Sequence, residues 1–300
     1  MVSPVVAGVD GSEESLAAAE WAAREAERRG LSLRLFHAWN WHPRSADGAR
    51  VDAARRRLAR QVLSRAEERV RVACPGVRLE EEQVLGPATT ALLRAAGRAE
   101  VLVLGSRGLS GFTGFLVGSV ALGTVARACC PVVLVRAGEE ATDEHFPAAD
   151  GGASTRTGYR DVVLGLDVAV PCDEVIEFAF QAARLRRARL RAVYAWQQPS
   201  ALSLGPGEIA LVDDPERAEE WQGFLAAVLQ VWREKYPEVE VVETVVRDKA
   251  STALVRAASG ASLLVVGRRP SAYPAGPRTG PVAHAAVHHA DCPVAVVPHE

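Results

Sequence analysis

Lysine is almost absent from this sequence. Lys235 and Lys249 are the only two, and 35 basic residues stand against 37 acidic ones, for a net charge of −2 at pH 7. A chain so evenly balanced lacks the positive field through which proteins bind polyanions by counterion release. Nucleic acid and membrane surfaces are therefore not among its predicted partners.

Long apolar runs and a signal sequence are missing as well. No uninterrupted stretch of about 18 apolar residues occurs, and the opening MVSPVVAGVDGSEES has neither the charged region nor the apolar segment of a signal peptide. The sequence therefore predicts a cytoplasmic chain. The five cysteines are odd in number and lack CxxC spacing, which predicts reduced structural thiols.

What the chain does have is a repeat within an apolar-rich sequence, 48% hydrophobic over 300 residues. Three segments recur in the same order: 5–10 as 162–167, 37–39 as 194–196, and 130–132 as 292–294. The first two pairs are 157 residues apart and the third is 162 apart. We place the five extra residues of the second copy in the loop 197–216, because loops tolerate insertions at little cost.

Each copy alternates short Val/Leu-rich runs with helical patterns, which is typical of βαβ units and a parallel sheet. In the first copy the predicted strands cover 4–10, 32–38, 77–84, 101–105 and 131–136. The predicted helices cover Ser12–Arg29, Ala53–Val72, Ala88–Arg98 and Ser119–Cys129. The prediction is an α/β chain of two tandem doubly wound sandwiches, with domains at 1–137 and 160–300 and an apolar-poor linker at 138–159.

The fourth predicted strand runs into the most distinctive stretch of the first copy, with five glycines between Gly105 and Gly118 and a helix beginning at Ser119. Glycines let backbone amides approach a ligand, and a helix N-terminus favours an anion. Arg107 and Ser119 could add contacts to phosphate. The alternative is a flexible surface loop with Ser119 as an ordinary N-cap.

Other nucleotide motifs do not fit. There is no GxxxxGK[ST], and no GxGxxG follows the first strand. The spacing Gly105-x2-Gly108-x9-Gly118-Ser119, an Asp closing the first strand and an Ala-x-Cys-Pro-Val ending to each copy resemble the universal stress protein family. The resemblance covers both halves and implies a tandem member, with five-stranded parallel sheets of order 3-2-1-4-5 and ATP bound by the glycine motif.

Carried over by position, the resemblance implies a nucleotide site in the first domain. It implies that Asp10 and Ala38 bound an adenine pocket. It also implies that ribose and phosphates are held by Gly105, Arg107, Gly108, Gly118, Ser119 and Val120. Asp10 could hold Mg²⁺, although a role in nucleotide recognition is the stronger expectation.

The second copy departs from that motif. At the offset of 162, Gly108 becomes Pro270 and Ser119 becomes Pro281. Proline has neither an N–H nor a hydroxyl, yet it suits the first turn of a helix. We therefore expect one ATP per chain, with the second site empty or holding a different ligand.

Two further features have ordinary explanations. His284 and His288 have helical spacing for a shared metal, but no third ligand is evident in the sequence. Cys129, Cys130 and Cys292 could sense redox state, although buried thiols beside proline are usually inert. No Ser-His-Asp, Cys-His or paired-carboxylate arrangement can be assembled from the strand-end residues of the first copy.

The predicted function is that of an ATP-binding, nucleotide-responsive regulatory module in stress adaptation. Two alternatives stay open: slow ATP hydrolysis or autophosphorylation at Thr113 or Ser119, and ATP-independent protein interaction. The last strands, Pro131–Arg136 and Pro293–Pro298, are apolar on both faces, and proteins avoid leaving such edges exposed. We expect the two domains to pair through them, with a homodimer of the full chain also possible.

Overall fold

The computed structural model of the chain describes residues 3–39, 48–106, 117–197, 214–269 and 279–299. The first half has strands β1 (Val5–Gly8), β2 (Leu33–Trp39), β3 (Leu79–Leu85), β4 (Val101–Ser106) and β5 (Val132–Arg136). Its helices are α1 (Glu13–Arg29), α2 (Gly48–Ala73), α3 (Ala88–Ala96) and α4 (Ser119–Val125).

The second half repeats this order. Its strands are β6 (Val162–Gly165), β7 (Leu190–Trp196), β8 (Val241–Arg247), β9 (Leu263–Arg268) and β10 (Val294–Pro298). Its helices are α5 (Asp173–Arg186), α6 (Asp214–Lys235), α7 (Ala250–Ala258) and α8 (Pro281–His289). Among the described residues, no helix has the length and apolar character needed to span a bilayer.

All ten strands form one sheet in the order β3-β2-β1-β4-β5-β10-β9-β6-β7-β8. Each half therefore has the order 3-2-1-4-5, so the predicted fold class is confirmed. Within each half the neighbouring strands are parallel. At the centre, β5 and β10 run antiparallel, with Val133 opposite Ala295.

Helices cover both faces of the sheet, which explains why the central strands are apolar on both sides. One buried cluster includes Leu16 and Trp21 of α1 together with Ile176 of α5. The other includes Leu92 of α3 and Leu254 of α7. Both clusters contain residues from each half of the chain, so the apolar core continues across the β5–β10 junction.

The helix predicted to continue to Cys129 ends at Val125 instead. The guanidinium of Arg268, at the end of β9, donates to the carbonyl oxygens of Ala126 (3.0 Å) and Ala128 (2.6 Å). These carbonyls are satisfied from the second half of the chain, so the backbone can leave the helix early. The sequence of α4 alone carries no sign of this partner.

The apolar-poor stretch between the repeats packs against α1. It contains a 3-10 turn at Ala141–Glu144, and the carboxylate of Glu144 is almost fully buried between Arg24 (2.8 Å) and Arg28 (2.7 Å) of α1. A β-bridge joins His145 to Tyr159 farther along. The connecting segment is therefore anchored to α1 by ion pairs.

Candidate functional site

The first-domain cavity, as we call it, lies at the carboxyl ends of β1, β2 and β4, where ligands gather in open parallel sheets. Its volume is about 260 Å³. Six of the eight predicted site residues line it: Asp10, Ala38, Gly105, Gly118, Ser119 and Val120. Arg107 and Gly108, like Thr113, lie outside the described residues.

Asp10 is fixed by the turn that joins β1 to α1. Its Oδ1 accepts hydrogen bonds from the Ser12 amide (3.0 Å) and the Ser12 hydroxyl (2.5 Å). Ser12 in turn caps α1 by accepting from the Ser15 amide at 3.3 Å. The carboxylate is therefore oriented by an N-cap, which places α1 directly after the strand.

This immediate helix start brings residues to the cavity that the sequence reasoning missed. Ser12, Glu14 and Ser15 from the start of α1 all line it. The signal was present, because Asp-Gly-Ser directly after a strand followed by two acidic residues is a helix-start pattern. The carboxylates of Asp10 and Glu14 make this end of the cavity acidic.

Helix packing explains why position 105 is a glycine, whereas the glycine motif predicted a ligand contact there. A Cβ built on Gly105 would lie 2.6 Å from the carbonyl carbon of Glu14 and 2.7 Å from the Ser15 nitrogen. The end of β4 therefore touches the backbone of α1, and only glycine permits that approach. Ligand contact is not needed to explain this glycine.

Gly118 and Ser119 form the opposite wall. Gly118 caps α4 with φ −62° and ψ 148°, a conformation that any residue adopts. Ser119 and Val120 follow as the first helical residues and are exposed. The backbone conformation at 118 therefore gives no reason for a glycine at this position.

The second-domain cavity lies at the equivalent strand ends and is larger, about 1040 Å³. Asp167, Ala195, Gly267, Gly280 and Pro281 line it at positions equivalent to Asp10, Ala38, Gly105, Gly118 and Ser119. Pro281 is the first residue of α8, as its chemistry predicts. The cavity persists although proline has replaced the serine.

The histidine pair of α8 is the candidate metal site, and the cysteines are the candidate redox sensors. The rings of His284 and His288 are 4.4 Å apart, but within the described ranges no group of three or more His, Cys, Asp or Glu residues could hold a metal. All five cysteines are free thiols. Burial raises the pKa of both Cys130 and Cys292 to about 12, which disfavours the reactive thiolate.

Both halves of the chain are similar to known proteins. Residues 1–136 and 158–298 match the sequence model of the universal stress protein family. Over 307 aligned residues, the chain is 31% identical to universal stress protein Rv2005c of Mycobacterium tuberculosis, covering 97% of this chain and 96% of that protein.

One solved structure covers nearly the whole chain with the same fold. A universal stress protein from Archaeoglobus fulgidus has a TM-score of 0.72 at 16% identity, covering 99% of this chain and 98% of that one, which shows the fold. A universal stress protein in complex with cAMP is 31% identical over 44% of this chain, with a TM-score of 0.33. With both of its halves matched and relatives of similar length, the chain belongs to the universal stress protein family as a tandem, two-domain member.

Proposed function

We propose that the first domain binds ATP in the first-domain cavity and that the chain acts as a nucleotide-responsive regulatory module in stress adaptation. The observation that carries the proposal is the convergence of Asp10, Ala38 and the 118–120 segment on one cavity at the strand ends. These residues come from three separate parts of the sequence. They meet at the edge where doubly wound sheets bind ligands.

The residues present fit an adenine nucleotide by their chemistry. The carboxylate of Asp10 can accept from an exocyclic amine, and Phe36 and Leu92 give an apolar floor for a ring. The amide and hydroxyl of the exposed Ser119 can donate to phosphate oxygen. Ligand pockets usually measure roughly 300–1,000 Å³, so a cavity of about 260 Å³ suits the base and sugar, with the phosphates toward solvent. Mg²⁺ would then be held mainly by the nucleotide.

We also propose where the two domains begin and end and how they dock. Residues 1–137 and 160–300 are the two domains, with 138–159 as the connecting segment, and the domains stay docked in solution through Pro131–Arg136 and Pro293–Pro298. The antiparallel register of β5 and β10 supports this docking. Expression of 1–137 alone should then yield a homodimer or an aggregate, whereas a stable monomer would contradict it. A cytoplasmic location remains a prediction.

The direct test is to denature freshly purified protein and analyse the supernatant for ATP, ADP, AMP and cyclic nucleotides. The proposal expects an adenine nucleotide at up to one equivalent per chain, or binding of added ATP where none is retained. Absence of both would favour the ATP-independent interaction module. Incubation with γ-labelled ATP separates binding from chemistry, because released phosphate or a labelled chain would indicate the slow enzyme.

A further inference from the structure

We propose that the outer edge of β8 is a dimerisation surface, to which β8 of a second copy of this chain adds as an antiparallel strand. The two sheets then continue into one another across a two-fold axis. The inference concerns the end of the sheet and holds whether or not either cavity binds a nucleotide. It rests on the composition of the two end strands, on the direction of the backbone groups of β8 and on the placement of two opposite charges.

The sheet ends in β3 on one side and in β8 on the other, and neither strand has an outer neighbour within the described ranges. β3 carries Glu80, Glu81 and Glu82, and such charges on an edge strand discourage pairing with another chain. Five of the seven residues of β8 are Val or Thr, with one glutamate and one arginine. A long edge of β-branched residues is the kind to which a further strand adds.

The backbone of β8 directs the hydrogen-bonding groups of its odd-numbered residues away from the sheet. The carbonyl oxygen of Glu240 and the amide of Asp248 both bond to β7, at 2.8 and 3.1 Å. Backbone groups of successive strand residues alternate in direction, so the even-numbered residues of β8 face β7. The amides and carbonyls of Glu243, Val245 and Arg247 therefore face outward, where a further strand would bond.

The first residue of β8 shows the same direction and marks where the available edge begins. The outward carbonyl oxygen of Val241 accepts a hydrogen bond from Nη2 of Arg233, a side chain of α6, at 3.5 Å. This carbonyl is therefore already bonded within the chain. A partner strand that left this contact intact would pair with the segment 243–247.

The two charges of β8 select one register of pairing between two copies. When two antiparallel copies of β8 are centred on Val245, Glu243 of each strand lies opposite Arg247 of the other. All of these facing residues have outward backbone groups, so each pair exchanges two hydrogen bonds. Opposite charges on facing residues stabilise an antiparallel pair, whereas a register centred on Glu243 would put two carboxylates against each other. The register centred on Val245 also leaves the bonded Val241 carbonyl outside the pairing.

The side chains of Glu243 and Arg247 lie on the same face of the sheet, because they are four residues apart in a strand. The carboxylate of Glu243 is held by α6, with Oε1 at 2.7 Å from Arg233 and Oε2 accepting from Gln222 at 2.5 Å. The guanidinium of Arg247 lies over the ring of Trp196, 5.9 Å from its centroid. In the dimer, the guanidinium of one copy joins these groups around the carboxylate of the other.

The opposite end of the sheet does not offer the same contact. β3 contains no basic residue, so no register of β3 with itself places an opposite charge against its three glutamates. Pairing through β8 uses the same surface on both copies, and a contact of that kind closes a two-fold dimer. The two acidic β3 edges then form the outer ends of the combined sheet. The expected assembly is therefore a dimer and not a filament.

The test is to measure the mass of the full chain by analytical ultracentrifugation over a range of concentrations, for the parent, Val245→Pro and Arg247→Glu. Proline at 245 removes the central outward N–H, and edge strands accept proline where the N–H faces away from the sheet. The matched control is Gln83→Pro, at the equivalent position of β3 at the offset of 162.

We expect the parent to dimerise and both β8 variants to raise the dissociation constant about tenfold or more. Arg247→Glu does so by placing like charges opposite each other at both ends of the paired segment. Arg247→Lys keeps the positive charge and should dimerise nearly as well as the parent. Gln83→Pro should leave the dissociation constant unchanged.

Three results would overturn the proposal. The parent could stay monomeric at every concentration, a dimer could persist unchanged in Arg247→Glu, or Gln83→Pro could weaken the dimer as much as Val245→Pro does. Circular dichroism and melting temperature show whether each variant is folded. If Val245→Pro does not fold, Arg247→Glu decides the question, because Arg247 is exposed at the end of β8 and its charge can be reversed without disturbing the core.

Discussion

The two cavities of this chain have the same strand-end glycines and aspartates but different walls. In the first domain an N-capped helix begins at once, orients Asp10 through Ser12 and narrows the cavity. In the second domain the helix begins a turn late and the cavity is several times larger. The comparison teaches that equivalent strand ends can carry cavities of different size, which differ in the first helical turn and in the residue that opens the fourth helix.

The largest expected effect comes from removing a buried ion pair between α1 of the first domain and α5 of the second. The carboxylate of Glu25 on α1 is fully buried against Arg186 of α5 at 2.9 Å and against Arg29 at 2.7 Å. Burial by itself would raise the pKa of Glu25, but Arg186, Arg29 and Arg28 overcome it and hold the pKa well below its usual range.

We expect Glu25→Gln to lower the free energy of unfolding by about 3–5 kcal/mol, because it leaves Arg186 buried without its ion-pair partner. The measurement is urea unfolding at pH 7, with Arg189→Ala as the control at the partly exposed pair with Asp161, where the loss should stay under about 1 kcal/mol. Because the folded-state pKa is depressed, the contribution of Glu25 is present above its ordinary value of 4.5 and falls below it. Equal losses of unfolding free energy in Glu25→Gln and Arg189→Ala would contradict a stabilising role for the buried Glu25–Arg186 pair.

A single substitution in the first-domain cavity, Ser119→Pro, tests the phosphate contacts proposed for it. Ser119→Pro gives the first domain the residue of the second, and Gly118 already has the extended backbone that a following proline requires. Loss of the donors to a charged phosphate costs about 1.5–3 kcal/mol, roughly a tenfold to hundredfold loss of ATP affinity. Ser119→Ala keeps the backbone amide but loses the hydroxyl, so its ATP affinity should lie between those of the parent and Ser119→Pro. A folded Ser119→Pro with parental affinity would show that the phosphate contacts are misassigned.

The paired glycines sharpen the comparison of the helix starts. Gly105→Ala places a methyl group against the backbone of α1 and should destabilise the chain by about 1–3 kcal/mol. Gly267→Ala meets the tip of His299 and a methyl of Val175, which can move, so its cost should be under about 1 kcal/mol. Thermal unfolding of both variants measures the difference. A reversed order would show that α5 packs as closely as α1.

The smallest expected effect is the reverse exchange, Pro281→Ser. It restores an amide and a hydroxyl at the start of α8 and leaves the rest of the second-domain cavity unchanged. ATP binding in the second domain should strengthen by about tenfold or less, the value of a single polar contact. Calorimetric titration of ATP into Pro281→Ser and into the parent chain measures the change. A full change to tight ATP binding would mean that position 281 alone sets the ligand.

The sequence predicted most of the fold because its apolar runs and repeats are local signals. Val101–Leu104 is apolar at every position, as a strand covered on both faces must be. Contacts between distant segments were not predictable in the same way. The early end of α4 depends on Arg268, which lies about 140 residues farther along the chain. The burial of Glu144 likewise depends on arginines of α1.

The candidate site also has features that were predictable from the sequence and features that were not. Six of the residues carried over from the family resemblance meet at one cavity, because parallel strands present their carboxyl ends at a common edge. The part played by Gly105 escaped prediction, since a glycine needed for contact with a helix has the same sequence signature as one needed for a ligand.

The central claim, that only the first of the two equivalent cavities binds ATP tightly, is tested most directly by titrating ATP into the full chain by calorimetry. We predict a stoichiometry near one tight site per chain, which is weakened by Ser119→Pro and insensitive to Trp221→Leu, a change in the lining of the second-domain cavity. Two equivalent tight sites per chain, or one tight site that responds to Trp221→Leu and not to Ser119→Pro, would contradict the account.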